Sequence, residues 1–207
     1  MADRIRLSVT RLTGLMETFL LSSRAESGAL DFNPAAFDVK GVLEELCDMH
    51  DKVSPSHTCR ARLGDAPQHF LGDERLVRQA VSNLISNAIK YSRDADAIEV
   101  TCFVTGDDLV ISVRDWGIGI PADEVDRLGS QFFRASNHGG IMGTGVGLHL
   151  VTAVAQEHGG ALSVDSEVGE GSVFTLTLPL SQPMESARDD AGEDAGEDAE
   201  RSEEVAA

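Results

Sequence analysis

Three short segments limit the fold and the chemistry of this chain more than any other feature of its 207 residues. The first is Asn83–Tyr91, on a predicted helix. The second is Asp115–Gly119, directly after a predicted strand, and the third is Gly143–Gly147, at the predicted start of another helix. A pair of asparagines or a single Gly-x-Gly is weak evidence when it stands alone. In this order, with about 60 residues from the first to the last, the segments indicate one binding site.

The polar residues of the first segment form one stripe on a helix predicted from about Asp73 to Tyr91. At about 100° per residue, Asn83, Asn87 and Lys90 fall within an arc of about 60°, beside an apolar half that faces the core. Amide oxygens at the edge of that face suit Mg²⁺ beside a polyanionic nucleotide, and Lys90 adds positive charge near the phosphates. The alternative is that both amides are buried and bridge backbone groups.

The second and third segments predict the two ends of a nucleotide. Asp115 ends a strand next to glycines that allow close approach, so its carboxylate can accept a hydrogen bond from an amine such as that of adenine. The alternative is an ordinary Asx-turn residue. Gly143, Gly145 and Gly147 open a helix predicted from about Thr144 to His158, where free N–H groups and the helix dipole favour phosphate. Together the segments predict an ATP site.

A long connection, Pro121 to Met142, separates the second and third segments. Connections of this length are commonly lids over a site. Within it, the two rings of the Phe132–Arg134 segment are expected to close over the sheet. The guanidinium of Arg134 is expected to reach a phosphate.

The histidines and cysteines carry structural predictions. His149 and His158 are interpreted as structural, and His158 lies in the last helical turn, where a cation suits the dipole. No Cys-x-x-Cys spacing indicates a zinc site, and three cysteines do not form a disulfide framework. We therefore expect reduced core residues at Cys47, Cys59 and Cys102.

The order of the predicted elements favours an α+β fold. Asp38 is predicted to cap a helix that runs to about Val53. Helices and strands then interleave without a regular β-α-β period, so we expect a two-layer α/β sandwich, with one mixed sheet covered by helices on one face and an added N-terminal helix. The strands are predicted at about 58–63, 68–71, 98–104, 109–114, 161–166 and 172–178.

The N-terminal helix carries an apolar seam with spacings of four and three residues. The residues of this seam are Ile5, Val9, Leu12, Met16 and Phe19. Gly28 and the Asn33-Pro34 pair mark a break before the main domain. We interpret the seam as a surface for another helix in a dimer; the alternative is a core helix of the main domain.

Charge and hydropathy exclude two classes of partner. A net charge of −18 is unfavourable for binding a phosphate backbone, so we expect no nucleic-acid partner. Ten acidic residues follow position 184, and residues 183–207 are predicted to be a disordered acidic tail. No apolar run reaches the ~18–20 residues that a bilayer span needs, and no signal peptide is apparent. We therefore expect a cytoplasmic protein without a membrane segment in this chain.

Residues 37–180, about 70% of the chain, resemble the catalytic and ATP-binding domain of bacterial sensor histidine kinases, in the GHKL or Bergerat-fold superfamily. Five segments carry the resemblance. They are the N box at Asn83–Tyr91, the G1 box at Asp115–Pro121, the end of the F box at Phe132–Ala135, the G2 box at Gly143–Leu148, and the closing glycine turn and strand at Gly169–Phe174.

The resemblance implies that Mg²⁺ and ATP are cofactors. It implies that Asn87 holds magnesium with help from Asn83, that Asp115 binds the adenine amine, and that Asn83, Lys90 and Arg134 are catalytic. The full set of implied ATP-binding residues is Asn83, Asn87, Lys90, Tyr91, Asp115, Gly117, Gly119, Ile120, Arg134, Gly143, Thr144, Gly145, Val146, Gly147, Leu148 and Ser172.

Residues 4–30 resemble the second helix of the family's dimerisation and phosphoacceptor domain. We therefore expect residues 1–30 to be a partial dimerisation helix and residues 4–30 to form a homodimer. None of the six histidines has the sequence context of the family's phosphorylated histidine. The resemblance thus implies a truncated protein histidine kinase that donates the ATP γ-phosphate to a histidine outside this chain. Its partners would be a histidine-bearing dimerisation domain or full-length kinase and, downstream, a response regulator.

Two alternatives remain open at this point. One is a non-catalytic ATP-binding module that regulates a partner kinase; the other is a serine kinase of the anti-sigma-factor type. Gyrase-like and heat-shock-chaperone relatives place a water-activating glutamate at the position of Asn83, which favours phosphoryl transfer over hydrolysis here. Gly129 departs from the family, which often has phenylalanine at that position.

Overall fold

Four helices, a 3₁₀ turn and seven strands follow one another in the computed structural model, which describes residues 2–54, 57–92, 97–141 and 143–181. The acidic tail predicted from residue 183 lies outside these ranges. The elements are α1 Ala2–Glu26, β1 Ala35–Asp38, α2 Val39–Val53, β2 Thr58–Arg62, β3 His69–Gly72, α3 Glu74–Tyr91, β4 Ala97–Thr105, β5 Asp108–Asp115, the 3₁₀ turn Ala122–Arg127, α4 Gly147–Glu157, β6 Ala161–Glu167 and β7 Gly171–Pro179.

The main sheet has five strands in the order β2-β4-β5-β7-β6. β2 runs parallel to β4 and the other neighbours are antiparallel, so the sheet is mixed, as predicted. Residues alternate along β5, and Leu109, Ile111 and Val113 are fully buried on the face covered by helices α2, α3 and α4. One apolar sheet face against a layer of helices confirms the predicted two-layer sandwich.

A second sheet, of two strands, was not predicted. β1 pairs antiparallel with β3 in the register Phe37 with Phe70, and the two rings meet edge-on with centroids 5.8 Å apart. β2 and β3 are consecutive in the chain but belong to different sheets. β1 has only four residues and follows Pro34, so its pairing depends on a distant strand rather than on a local pattern.

Aspartates begin two of the helices, of which the cap at Asp38 was predicted. Asp38 accepts the Gly41 N–H at 3.0 Å at the start of α2, and Asp73 accepts the Leu76 N–H at 3.0 Å at the start of α3. Helix α4 differs from its prediction, because it begins at Gly147 rather than near Thr144.

Helix α1 lies on the main domain through a polar stripe. Gln79 of α3 donates to the Thr18 hydroxyl at 2.9 Å, and the Ser22 hydroxyl is 2.8 Å from Nδ1 of His149 in α4. Leu21 and Ala25 complete this contact. The predicted seam behaves differently where it is described, since Met16 and Phe19 are both more than half exposed. Where its side chains are described, α1 thus packs through other residues than Met16 and Phe19, and dimerisation through the seam stays a prediction. Within the described ranges, no helix has the length and apolarity for crossing a membrane.

His158 and the cysteines are structural, as predicted. All three cysteines are free and buried, and the thiols of Cys47 and Cys59 lie 2.7 Å apart. His158 is fully buried at the end of α4, where its ring packs edge-on against Phe32 at 4.8 Å. Burial lowers the pKa of His158, so the proposed reason for its position was wrong: a neutral ring, not a cation near the dipole, closes this helix.

Candidate nucleotide site

Asp115 ends β5 with its carboxylate buried at the edge of the sheet, 3% exposed. The Gly117 N–H donates to it at 2.9 Å, and the Ser172 N–H donates as well. Burial raises the pKa of Asp115 to about 6, and the two backbone donors oppose this rise. A buried carboxylate of this kind gains from an additional donor, and an amine on a ligand would supply one.

The loop after Asp115 is held between helix α3 and the β6–β7 turn. Ile118 donates its N–H to the Tyr91 carbonyl at 3.3 Å and accepts from the Gly169 N–H at 3.0 Å. A Cβ at Gly117 would overlap the Tyr91 carbonyl, and one at Gly119, where φ is +62°, would overlap the Glu167 carbonyl. The close approach that these glycines allow is therefore to protein backbone, which fixes the loop rigidly beside Asp115.

The polar stripe of α3 lies half-buried as predicted. Asn83 donates its amide N–H to the Gln79 carbonyl at 2.9 Å, which turns its Oδ1 towards the start of α4, 3.3 Å from a Cβ position at Gly147. Lys90 donates to the Tyr91 hydroxyl at 3.2 Å. Within the described ranges, no side-chain hydrogen bond of Asn87 is recorded. The alternative of two amides that bridge backbone groups holds for Asn83 only in part, since its oxygen stays available.

Lys90 and Arg134 meet at Gly143. A Cβ at Gly143 would collide with the Lys90 ammonium and would lie 3.7 Å from Nε of Arg134. Arg134 donates from its guanidinium to the Ile141 carbonyl, while its buried Nε has no partner in the described part of the chain. Two cations beside a glycine, one with an unused N–H group, fit an anion with several oxygens.

The glycine-rich segment forms a loop before α4 rather than its first turn. Gly145 has φ +73° and packs against the backbone of Phe132. A Cβ at Gly145 would lie 2.7 Å from the Phe132 carbonyl carbon. Val146 is buried at the cap position and makes no side-chain cap bond, and Leu148 packs on the core. Only Gly147 of the three predicted glycines lies within the helix. The first N–H groups of this helix have no carbonyl partner within the helix, as at any helix start, and remain the predicted phosphate donors.

The two rings of the predicted lid do not lie over the sheet. Phe132 is 60% exposed and has φ +61°, the one positive φ of a non-glycine residue within the described ranges. The Phe133 ring lies under the guanidinium of Arg127, 4.3 Å from its centroid. The expectation that both rings cover the sheet was therefore wrong for this conformation, in which the Phe132 ring is exposed and the Phe133 ring packs on Arg127 of the same connection.

Two polar residues near this site were missed by sequence reasoning. Asn137 donates its amide N–H to the Gly119 carbonyl at 2.9 Å, and its buried Oδ1 has no partner among the described residues. Ser166 lies beside Ser172 on the neighbouring strand and bonds to it at 2.9 Å. The period-two alternation of β6 carried the signal for Ser166, because it continues the face that Leu162 and Val164 present to the core.

Comparison with known proteins identifies the family. A family described as histidine kinase-, DNA gyrase B- and HSP90-like ATPase matches residues 72–182. The sensor-like histidine kinase SenX3 of Mycolicibacterium smegmatis is 33% identical over 182 residues, 86% of this chain. The chain spans 47% of the length of that relative.

Solved structures of histidine kinases share the fold. Histidine kinase AdeS of Acinetobacter baumannii superposes with a TM-score of 0.66 at 25% identity, over 83% of this chain and 80% of the other. Full-length ShkA in complex with AMPPNP superposes with a TM-score of 0.70 at 25% identity, over 86% of this chain and 37% of the other. The chain belongs to the family of histidine kinase-, DNA gyrase B- and HSP90-like ATPases, and it corresponds to the ATP-binding catalytic part of a two-component sensor histidine kinase.

Proposed function

We propose that the surface from Asp115 to the meeting point of Lys90 and Arg134, called the cleft below, binds Mg-ATP, and that the chain transfers the γ-phosphate to a histidine on another polypeptide. The observation that carries the proposal is the meeting of Lys90 and Arg134 at Gly143. Phosphoryl transfer needs mainly positioning and charge neutralisation from the donor site, and two adjacent cations supply both. Asp115, at the far end of the cleft, would receive the adenine amine.

The proposed magnesium site consists of amide oxygens on α3. Asn87 would be the ligand. Asn83 would assist it, because the Oδ1 of Asn83 is already turned towards the start of α4. Magnesium would neutralise charge on the β- and γ-phosphates. Asn83 cannot take a proton from water as a glutamate would, and its N–H is already engaged with Gln79. This chemistry favours transfer to a protein over hydrolysis.

The acceptor is proposed to lie outside this chain. In the transfer, a histidine ring nitrogen bonds to Pγ, the bond from Pγ to the β–γ bridging oxygen breaks, and ADP leaves with the electron pair. Three histidines of this chain are engaged elsewhere: His158 is buried, His149 is bonded to Ser22, and Nε2 of His50 is 3.1 Å from the Ser82 hydroxyl. A histidine-bearing dimerisation domain is the proposed partner, docked beside residues 4–30, and a response regulator would receive the phosphate in a phosphorelay. The cytoplasm, which supplies Mg-ATP, is the proposed location.

A transfer assay in trans tests the proposal. The chain is incubated with magnesium and γ-labelled ATP, alone and with separately purified dimerisation domains of related kinases. We expect no label on this chain and an acid-labile, base-stable label on a partner. Asn87→Ala should abolish the label, and Asn33→Ala is the matched control because its side chain is exposed far from the cleft. Normal nucleotide binding with every partner unlabelled would instead support a non-catalytic binding module.

A further inference from the structure

A polar row beside the base end of the cleft, buried at Asp115 and Ser172 and half-buried at Ser166, contains a hydroxyl that the mechanism above does not use. Asp115 pairs with Ser172 across β5 and β7, and Ser172 pairs with Ser166 across β7 and β6. Directly paired residues of neighbouring strands point to the same face. The three side chains therefore form one polar row, on the face that is apolar along the rest of the sheet.

The hydroxyl of Ser166 has three partners. It accepts the Ile120 N–H at 2.9 Å, donates to the Gly171 carbonyl at 2.9 Å, and lies 2.9 Å from the Ser172 hydroxyl. A serine hydroxyl has one proton and two lone pairs. A carbonyl can only accept, so the proton of Ser166 belongs to the bond with Gly171. The bond between the two serines must then use the proton of Ser172.

This assignment fixes the chemistry that Ser172 presents to a ligand. With its proton directed at Ser166, the Ser172 oxygen keeps only lone pairs for the cleft. Ionised Asp115 also presents only acceptors, and the Gly117 and Ser172 N–H groups that bond to it are already used. The base end of the cleft therefore offers acceptors in adjacent positions and no free hydroxyl donor from this row.

We infer that Ser166 is a positioning residue that sets base selectivity by holding the Ser172 hydroxyl as an acceptor. The inference rests on the ATP site proposed above. Adenine carries an amine where guanine carries a carbonyl oxygen, so an acceptor-only row matches adenine and opposes guanine. Without Ser166, the Ser172 hydroxyl can rotate and donate to the guanine carbonyl, which removes part of the discrimination.

The test is the ratio of the dissociation constants for Mg-GTP and Mg-ATP, measured by calorimetry on the full chain. Ser166→Ala should lower this ratio by roughly threefold to tenfold, the range of one neutral hydrogen bond. Ser166→Thr retains the hydroxyl and should restore the ratio. A merely structural role would weaken both nucleotides alike and leave the ratio unchanged.

A matched control exists in the same sheet. Ser112 of β5 and Thr175 of β7 form a hydroxyl pair at 3.0 Å, away from the polar row. Ser112→Ala removes a comparable bond and should leave the ratio at the wild-type value. Ser166→Ala should also have no further effect on the ratio when Ser172 is already alanine, because it acts through that hydroxyl.

Several outcomes overturn the inference. An unchanged ratio of dissociation constants in folded Ser166→Ala overturns it. The inference also fails if Ser166→Ala lowers the ratio equally when Ser172 is already alanine. If Ser166→Ala does not fold, Ser172→Ala decides, since it leaves the bonds of Ser166 to Ile120 and Gly171 in place and must itself lower the ratio. A wild type that binds neither nucleotide refutes the proposed ATP site. Selectivity lost in Asp115→Ala but intact in Ser166→Ala refutes only the role of Ser166.

Discussion

Asp73 donates its backbone N–H to Nε2 of His158 at 3.0 Å, so the residue that caps the start of α3 also closes the end of α4. The other ring nitrogen, Nδ1, donates to the Val154 carbonyl at 2.8 Å. These partners define one neutral tautomer. A proton added at Nε2 would face the Asp73 N–H, so the folded state resists protonation of this ring.

Stability should therefore depend on the protonation of His158. Its folded pKa is lowered by burial, so below pH 6.5 the unfolded chain binds more protons, and stability is lost as pH falls from about 6.5 towards the folded pKa. One such group contributes at most ~1.4 kcal/mol per pH unit. Urea unfolding of wild type and His158→Phe between pH 7.5 and 5.5 checks this: the difference in the free energy of unfolding should shrink as pH falls. A constant difference contradicts it. His50→Gln should show a pH dependence of the same sign, because burial lowers the pKa of His50 too.

Replacing Asp115 should remove base selectivity. The wild type is expected to prefer ATP to GTP, and Asp115→Ala should weaken ATP binding by ~1.5–3 kcal/mol, roughly 10- to 150-fold, because a charge-assisted bond to the amine is lost. Calorimetry with both nucleotides measures the effect. Equal affinity of the wild type for ATP and GTP would exclude this role of Asp115.

The same carboxylate should make nucleotide affinity depend on pH. With a pKa of about 6, Asp115 is ionised at pH 7.5 and becomes protonated as pH falls below 6. Only the ionised form is a full acceptor, so affinity should fall by up to about tenfold per pH unit below pH 6. Asp115→Asn is the reference, since both proteins share the titration of the phosphates. Parallel pH profiles for the two proteins would refute the prediction.

Replacing Asn87 should change the magnesium dependence of ATP binding. Asn87→Ala removes an oxygen ligand, whereas Asn87→Asp keeps one but adds negative charge beside the triphosphate. Titrations with and without magnesium should show a large magnesium effect in wild type and little or none in Asn87→Ala. Wild-type magnesium dependence in the alanine variant would rule out Asn87 as a ligand.

Gly129 should tolerate a side chain poorly. It has φ +86°, and a Cβ would lie 2.6 Å from Oγ1 of Thr152. Gly140 has φ +77° with nothing within 4 Å, so Gly140→Ala should cost only the backbone strain, roughly 1–2 kcal/mol. Gly129→Ala should cost more, and Thr152→Ala should remove the excess. Thermal or urea unfolding of the variants measures these costs, and equal costs at both glycines contradict the steric part of the prediction.

Local sequence patterns predicted the elements whose signals lie within their own residues. Helix α3 has an N-cap, an amphipathic period and a continuous length, and β5 alternates until its last residue, Asp115, so both were placed closely. The start of α4 was misplaced because Gly145 adopts a positive φ against Phe132, a contact between segments that no local pattern encodes. β1 was missed for the same reason. The sequence predicted that Lys90 and Arg134 each lie near a phosphate. It did not predict that they meet at Gly143, because their adjacency depends on the folded loop.

The docking of α1 has a mechanical consequence. Gln79, which holds Thr18, lies one turn before Asn83, and His149, which holds Ser22, lies two residues after Gly147. Helix α1, with 25 residues, is roughly 37 Å long. Because these two hydrogen bonds join α1 to α3 and to α4, a displacement of α1 would have to break them or move with it the helices that carry Asn83 and Gly147.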